Sequence, residues 1–105
     1  MKRKILLLFL GFVYVSAVNA APIRLSSDLV LNKINDNVLV VTHSFPWESN
    51  SLVLITEKSN VVLVDTPYTN EAMEKVYAWV KNEYKPRKVE AIITGYHIDN
   101  IGGVE

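Results

Sequence analysis

From Leu29 onward the chain is a series of short apolar runs separated by residues that favour reversals. Leu29 to Asn32 leads into Lys33 to Asn37, where an Asn-Asp-Asn triplet marks a turn, and the apolar run Val38 to Phe45 follows. These runs predict a hairpin. Pro46 to Asn50 reads as a loop. Leu52 to Thr56 and Val61 to Thr66 predict a second hairpin, because the Lys-Ser-Asn within Glu57 to Asn60 suits a tight reversal. The period then changes: Met73, Val76, Tyr77, Val80 and Tyr84 recur at helical spacing. Thr69 or Asn70 can cap the first free N–H groups of that helix, Glu71 suits its positive end, and Pro86 stops it. After a solvated basic turn, Lys85-Pro86-Arg87-Lys88, one more strand is predicted over Val89 to Thr94. Beyond it stands Gly95-Tyr96-His97-Ile98-Asp99-Asn100-Ile101-Gly102-Gly103.

The run Leu52 to Ile55 and the run Val61 to Val64 are apolar at odd and even positions alike, so each strand asks for cover on both faces. One helix shields one face. A second sheet, a partner chain or residues outside this chain must lie against the other.

Composition narrows the class. The chain has 105 residues, no cysteine and a formal net charge of zero, which bounds it to one domain without disulfides. Residues 1–20 are predicted to be a secretory signal: Lys2, Arg3 and Lys4 precede an apolar stretch from Ile5 to Val15, and Val18-Asn19-Ala20 offers the small residues read by a signal peptidase. The apolar stretch falls short of the ~20 residues that cross a bilayer. Export to the periplasm or beyond is therefore expected, with no membrane attachment after cleavage. Losing three basic residues from the 11 basic and 11 acidic leaves 8 against 11, a net charge of −3 on residues 21–105, which excludes a nucleic-acid binder of the basic-patch kind.

The chemistry-bearing residues lie past the last strand. In an extended segment residues two apart point the same way, so His97 and Asp99 are predicted to converge beyond a strand end. Imidazole and carboxylate are both zinc ligands, and a zinc-bound water ionises near neutral pH. Gly102 and Gly103 are expected to let the backbone turn sharply there. By itself a His-x-Asp at a strand end is more often a hydrogen-bonded structural His and a capping Asp.

The order of two hairpins, Val-Leu-Val-Asp-Thr-Pro, an amphipathic helix, a strand and Thr-x-x-His-x-Asp-x-x-Gly-Gly, from about Val38 to Glu105, resembles the N-terminal half of the metallo-β-lactamases. The resemblance implies an α/β (α+β) fold: half of an αββα sandwich, made of mainly antiparallel hairpins, one amphipathic helix and a strand ending at the metal motif. It implies a Zn2+-dependent hydrolase of β-lactam rings, with His97 and Asp99 as metal ligands and Asp99 also orienting the nucleophile as the catalytic residue. Gly95 stands where the family has its first His, or Asn in one subclass, and hydrogen cannot coordinate a metal. Asn100 takes a position often filled by Arg, Cys or His, with at most a hydrogen bond to offer. Asp65 matches an Asp that ties the loops beneath the metal together. Trp47 falls where relatives have a hairpin over the substrate, although a solvent-facing or core Trp fits the residues as well. His43 is read as structural and Tyr96, opposed to His97, as packing.

The family's remaining ligands come from a second half, so residues 21–105 read as the N-terminal portion of a truncated, inactive member with an incomplete zinc site. The alternatives are a non-enzymatic periplasmic protein that reuses half of the fold and self-associates through its uncovered sheet face, or another hydrolase of the same superfamily.

Overall fold

The computed structural model describes residues 21–104; the predicted signal, residues 1–20, lies outside the described residues. Six strands form one sheet in chain order: β1 (Ile23–Ser26), β2 (Leu29–Asn35), β3 (Val38–His43), β4 (Ser49–Ile55), β5 (Val61–Val64) and β6 (Val89–Ile92). β1 to β5 pair antiparallel, and β6 joins β5 in parallel after the helix α1 (Asn70–Tyr84). This is the mixed α+β arrangement expected, with β1 as a strand the sequence pattern did not reveal.

Local chemistry explains the reversals. Asn35 pairs with Val38 across a two-residue turn, and the Asn35 side chain accepts the Asn37 N–H at 2.8 Å. Between β4 and β5, Lys58 and Ser59 both adopt positive φ, the hand that matches the twist of a hairpin. The β3–β4 loop contains a cis peptide between Phe45 and Pro46.

Odd positions face α1. Leu29, Leu31, Leu39, Val41, Val53, Val61 and Leu63 form one buried cluster with Ala72, Val76 and Val80 of the helix. Each of these larger side chains contributes about 1.5 to 3 kcal/mol through the apolar area it removes from water. Even positions such as Val40, Leu52, Leu54, Val62 and Val64 lie on the opposite face and are half-buried. That is the two-faced pattern read from the sequence. The buried stripe of α1 differs in one respect: Tyr77, placed on it by spacing, is 39% exposed, whereas Ala72 is buried. The stripe runs through positions 72, 76 and 80, and Tyr77 falls at its edge, with the Lys81 ammonium 5.7 Å from its ring centroid.

Thr69, not Asn70, caps α1: its Oγ1 accepts the Ala72 N–H at 3.1 Å. The helix ends at Tyr84 because Lys85 turns left-handed, φ 47°, and donates its N–H to the Lys81 carbonyl. Pro86 disfavours continuation of helix at the residue before it, and the chain leaves by this turn. Among the described residues no helix is long and apolar enough to cross a membrane.

Thr69→Ala removes the cap and is expected to lower stability by about 1 kcal/mol. Urea unfolding of the two proteins side by side checks this, and equal midpoints would count against the cap.

Candidate functional site

β5 and β6 run parallel, so both carry their chains toward the same end of the sheet, and the residues that follow each strand meet there. β5 leaves through Asp65, Thr66 and Pro67. β6 leaves through Ile93 and Thr94 into the motif.

Asp65 adopts φ 63°, a left-handed conformation that Asp tolerates better than most residues. The turn aims its carboxylate at Thr94. Oδ1 accepts the Thr94 N–H at 2.8 Å and Oδ2 accepts the Thr94 hydroxyl at 2.6 Å, while the Asp65 N–H donates to the Ile92 carbonyl at 2.9 Å. Partial burial pushes the Asp65 carboxyl up. The Thr94 hydroxyl, the Thr94 N–H and the Asn100 side chain outweigh it and hold the group below its ordinary 3.8.

Thr66, which sequence reasoning passed over, is the second anchor. It is buried, its N–H donates to the Asn100 carbonyl at 2.9 Å, and its Oγ1 accepts the Gly103 N–H at 2.9 Å. The same hydroxyl lies within donating distance of the carbonyls of Asn100, 3.2 Å, and Pro67, 3.0 Å. The signal that could have found it is its place in Asp-Thr-Pro. A small hydroxyl residue between a strand end and a proline is suited to collect backbone groups from a neighbouring loop.

Between these anchors the motif departs from the expected geometry. β6 stops at Ile92, and His97 is the N-cap of a single helical turn, α2 (Ile98–Ile101), which contains Asp99. The rule that residues two apart share a face in a strand therefore does not apply to His97 and Asp99. The side chain of Asp99 lies outside the described residues. His97 is exposed, and its ring stacks on that of Tyr96 at 4.5 Å and 28°; Tyr96, expected to oppose it, is 82% exposed. The expectation failed because it assumed a strand where the backbone is irregular.

Gly102 and Gly103 serve close approach and not a special turn. Gly102 has ordinary helical angles, φ −58° and ψ −26°, and a Cβ on it would stand 2.0 Å from the Tyr68 carbonyl oxygen. A Cβ on Gly103 would stand 2.7 Å from the Cβ of Met73 and 2.9 Å from the Thr69 carbonyl. The pair lets α2 seat directly against the start of α1. Gly95 differs: the nearest atoms a Cβ there would meet all belong to the Asn100 side chain, with Oδ1 at 2.8 Å and Cγ at 3.3 Å.

His43, Trp47 and the basic turn after α1 were weighed as possible site members as well. His43 is 3% exposed; its Nδ1 accepts the Tyr68 N–H at 3.1 Å, which puts its proton on Nε2, facing the Asp28 carboxylate at 3.7 Å. It is structural, as expected. Trp47 is 70% exposed, its ring 6.4 Å from that of Tyr68, which removes the core alternative. The Lys85 to Lys88 turn is solvated, with Lys88 paired to Glu90 at 3.3 Å.

Among the described residues no group of three or more His, Cys, Asp or Glu side chains could hold a metal ion. Both oxygens of Asp65 are taken by Thr94 and both nitrogens of His43 face other groups. What the arrangement does hold firmly is the backbone of the loop.

No protein-family model matches the chain. Two curated proteins do. A metallo-beta-lactamase type 2 from Bacillus sp. (strain 170) is 37% identical over 79 residues, covering 70% of this chain and 30% of its own length. The metallo-beta-lactamase type 2 of Bacillus cereus is 36% identical over 80 residues, covering 71% and 31%. A crystal structure of a metallo beta lactamase from Erythrobacter litoralis, with beta mercaptoethanol in its active site, matches with a TM-score of 0.69 at 27% identity over 80% of this chain and 39% of that one. The chain thus spans 30 to 31% of the length of these curated relatives.

Asp65 gives the loop a pH dependence of defined sign. Its folded value lies below 3.8, so the stability it contributes is present above that value and is lost as pH falls through the depressed one. Asp28, held low by the Ser26 hydroxyl, adds a contribution of the same sign. Asp65→Asn is expected to flatten part of the loss between pH 5 and pH 3, leaving the Asp28 part. Urea midpoints at the two pH values read this, and identical slopes in variant and parent would refute it.

Proposed function

Over the part of the fold that it spans, the chain belongs with the metallo-β-lactamase family, and on that footing we propose that it comes from an exported lineage of zinc hydrolases acting on β-lactam rings. The observation that carries the reading is the motif loop, which matches the family pattern at His97, Asp99, Gly102 and Gly103 and is held to the end of β5 by Asp65 and Thr66. Thr94 and Asn100 give that loop its shape. The two glycines set how closely it approaches α1.

In this proposal His97 and Asp99 are what the chain would bring to a Zn2+ site, with Asp99 as the catalytic residue. With Gly95 at the first ligand position, two ligands fall below the three or four that a zinc site requires. The 105 residues by themselves are inactive in this reading.

One experiment tests export and inactivity together. Protein recovered from the periplasm is expected to begin at Ala21 and to leave nitrocefin unhydrolysed above background in excess zinc. Absence of the protein from the periplasmic fraction would refute export, an uncleaved N-terminus would refute the signal, and robust turnover would refute inactivity.

A second reading rests on a different observation. Val40, Leu52 and Val64 are cross-strand neighbours, as are Val38, Leu54 and Val62, so the half-buried even face is one continuous apolar surface. A second copy of the chain packed on this face would make a non-enzymatic dimer. Sedimentation equilibrium decides: a folded dimer indifferent to zinc favours this reading, and a monomer at all concentrations removes it.

A further inference from the structure

The side chain of Asn100 fills the space that residue 95 leaves. A Cβ added to Gly95 would stand 2.8 Å from Asn100 Oδ1, 3.3 Å from Cγ and 3.8 Å from Nδ2, so the amide is what stands closest in this room. The amide is also engaged. Asn100 Nδ2 donates to Thr94 Oγ1 over a long 3.4 Å, and Thr94 Oγ1 in turn donates to Asp65 Oδ2 at 2.6 Å. Thr94 has spent its one proton on the carboxylate, so its oxygen can only accept from the amide. The result is a chain of donors that ends on a charge, the arrangement in which successive hydrogen bonds reinforce one another. The Asn100 carbonyl adds a tie in the other direction, taking the Thr66 N–H at 2.9 Å.

We infer that Gly95 and Asn100 are a compensating pair, in which the Asn100 amide takes the place of a side chain at position 95 and ties the motif loop to Thr94, so that the loop is ordered without metal. Asn100 is a positioning residue here, acting through Thr94 on Asp65. The inference uses the family resemblance only for what position 95 would otherwise hold, and it stands whether or not the lineage cleaves lactams. A larger side chain at 95, histidine included, needs Asn100 to swing away, which breaks the contact with Thr94.

The test is a double-mutant cycle in urea on the full chain: parent, Gly95→Ala, Asn100→Ala and the double variant. Gly95→Ala is expected to raise the unfolding constant about fivefold to tenfold when Asn100 is present and less than about twofold when it is Ala. The same cost in both backgrounds would overturn the pairing. A second measurement uses the parent alone, so it survives a variant that fails to fold: its urea midpoint is expected to be the same in excess zinc and in EDTA. Because a ligand that binds only the folded state must stabilise it, a midpoint raised by zinc would overturn the claim that the loop needs no metal. Neither readout depends on hydrolysis: nitrocefin turnover would remove only the proposed inactivity, and the double-mutant cycle would still decide the pairing by itself.

Discussion

Thr66 receives the Gly103 N–H on its hydroxyl while its own N–H goes to the Asn100 carbonyl, and the geometry at this end of the sheet depends on that double hold. The residue follows β5, an inner strand whose Leu63 and Val61 are packed beneath α1. A loop tied to it inherits the rigidity of the core. Asp65, next in line, ties the other end of the same loop through Thr94. Between the two anchors lies the single turn of α2. The constraint is one of backbone position: it fixes where His97 starts its turn and leaves the imidazole in solvent, stacked on Tyr96.

The sheet itself was legible in the chain because its signals are local. Alternating runs, the Asn35 turn and the Lys58-Ser59 reversal each announce themselves within a few residues, and so does the cap of α1, where Thr69 and Asn70 were the only choices. β1 escaped because Ile23 to Ser26 is short and mixed in character, and it earns its place only by pairing with β2. The two-faced strands were read correctly for a physical reason: burial on one face cannot hide apolar residues that point to the other.

The site was less legible. The resemblance located the loop, the comparisons uphold that resemblance, and the supporting role of Asp65 was foreseen. The local geometry was not. A period of two was carried past the end of β6, where the backbone had already left the strand, so the relation of His97 to Tyr96 was misread. Thr66 gave little sign of itself, since its partners lie 34 and 37 residues away. Glycines posed the opposite difficulty. Their number in the motif was plain, but a sequence cannot tell a glycine needed for its dihedral freedom from one needed for its lack of volume.

That distinction has a consequence for how this loop can change. Every single-base change that replaces a glycine with another amino acid brings in a Cβ. At 102 that atom meets the Tyr68 carbonyl, and at 103 it meets Met73 and the Thr69 carbonyl, all parts of a packed helix start. At 95 it meets the tip of one amide that rotates about its own bonds. Added volume in this segment is therefore barred by packed backbone at two positions, and at the third it is opposed only by the one side-chain contact that Asn100 makes with Thr94.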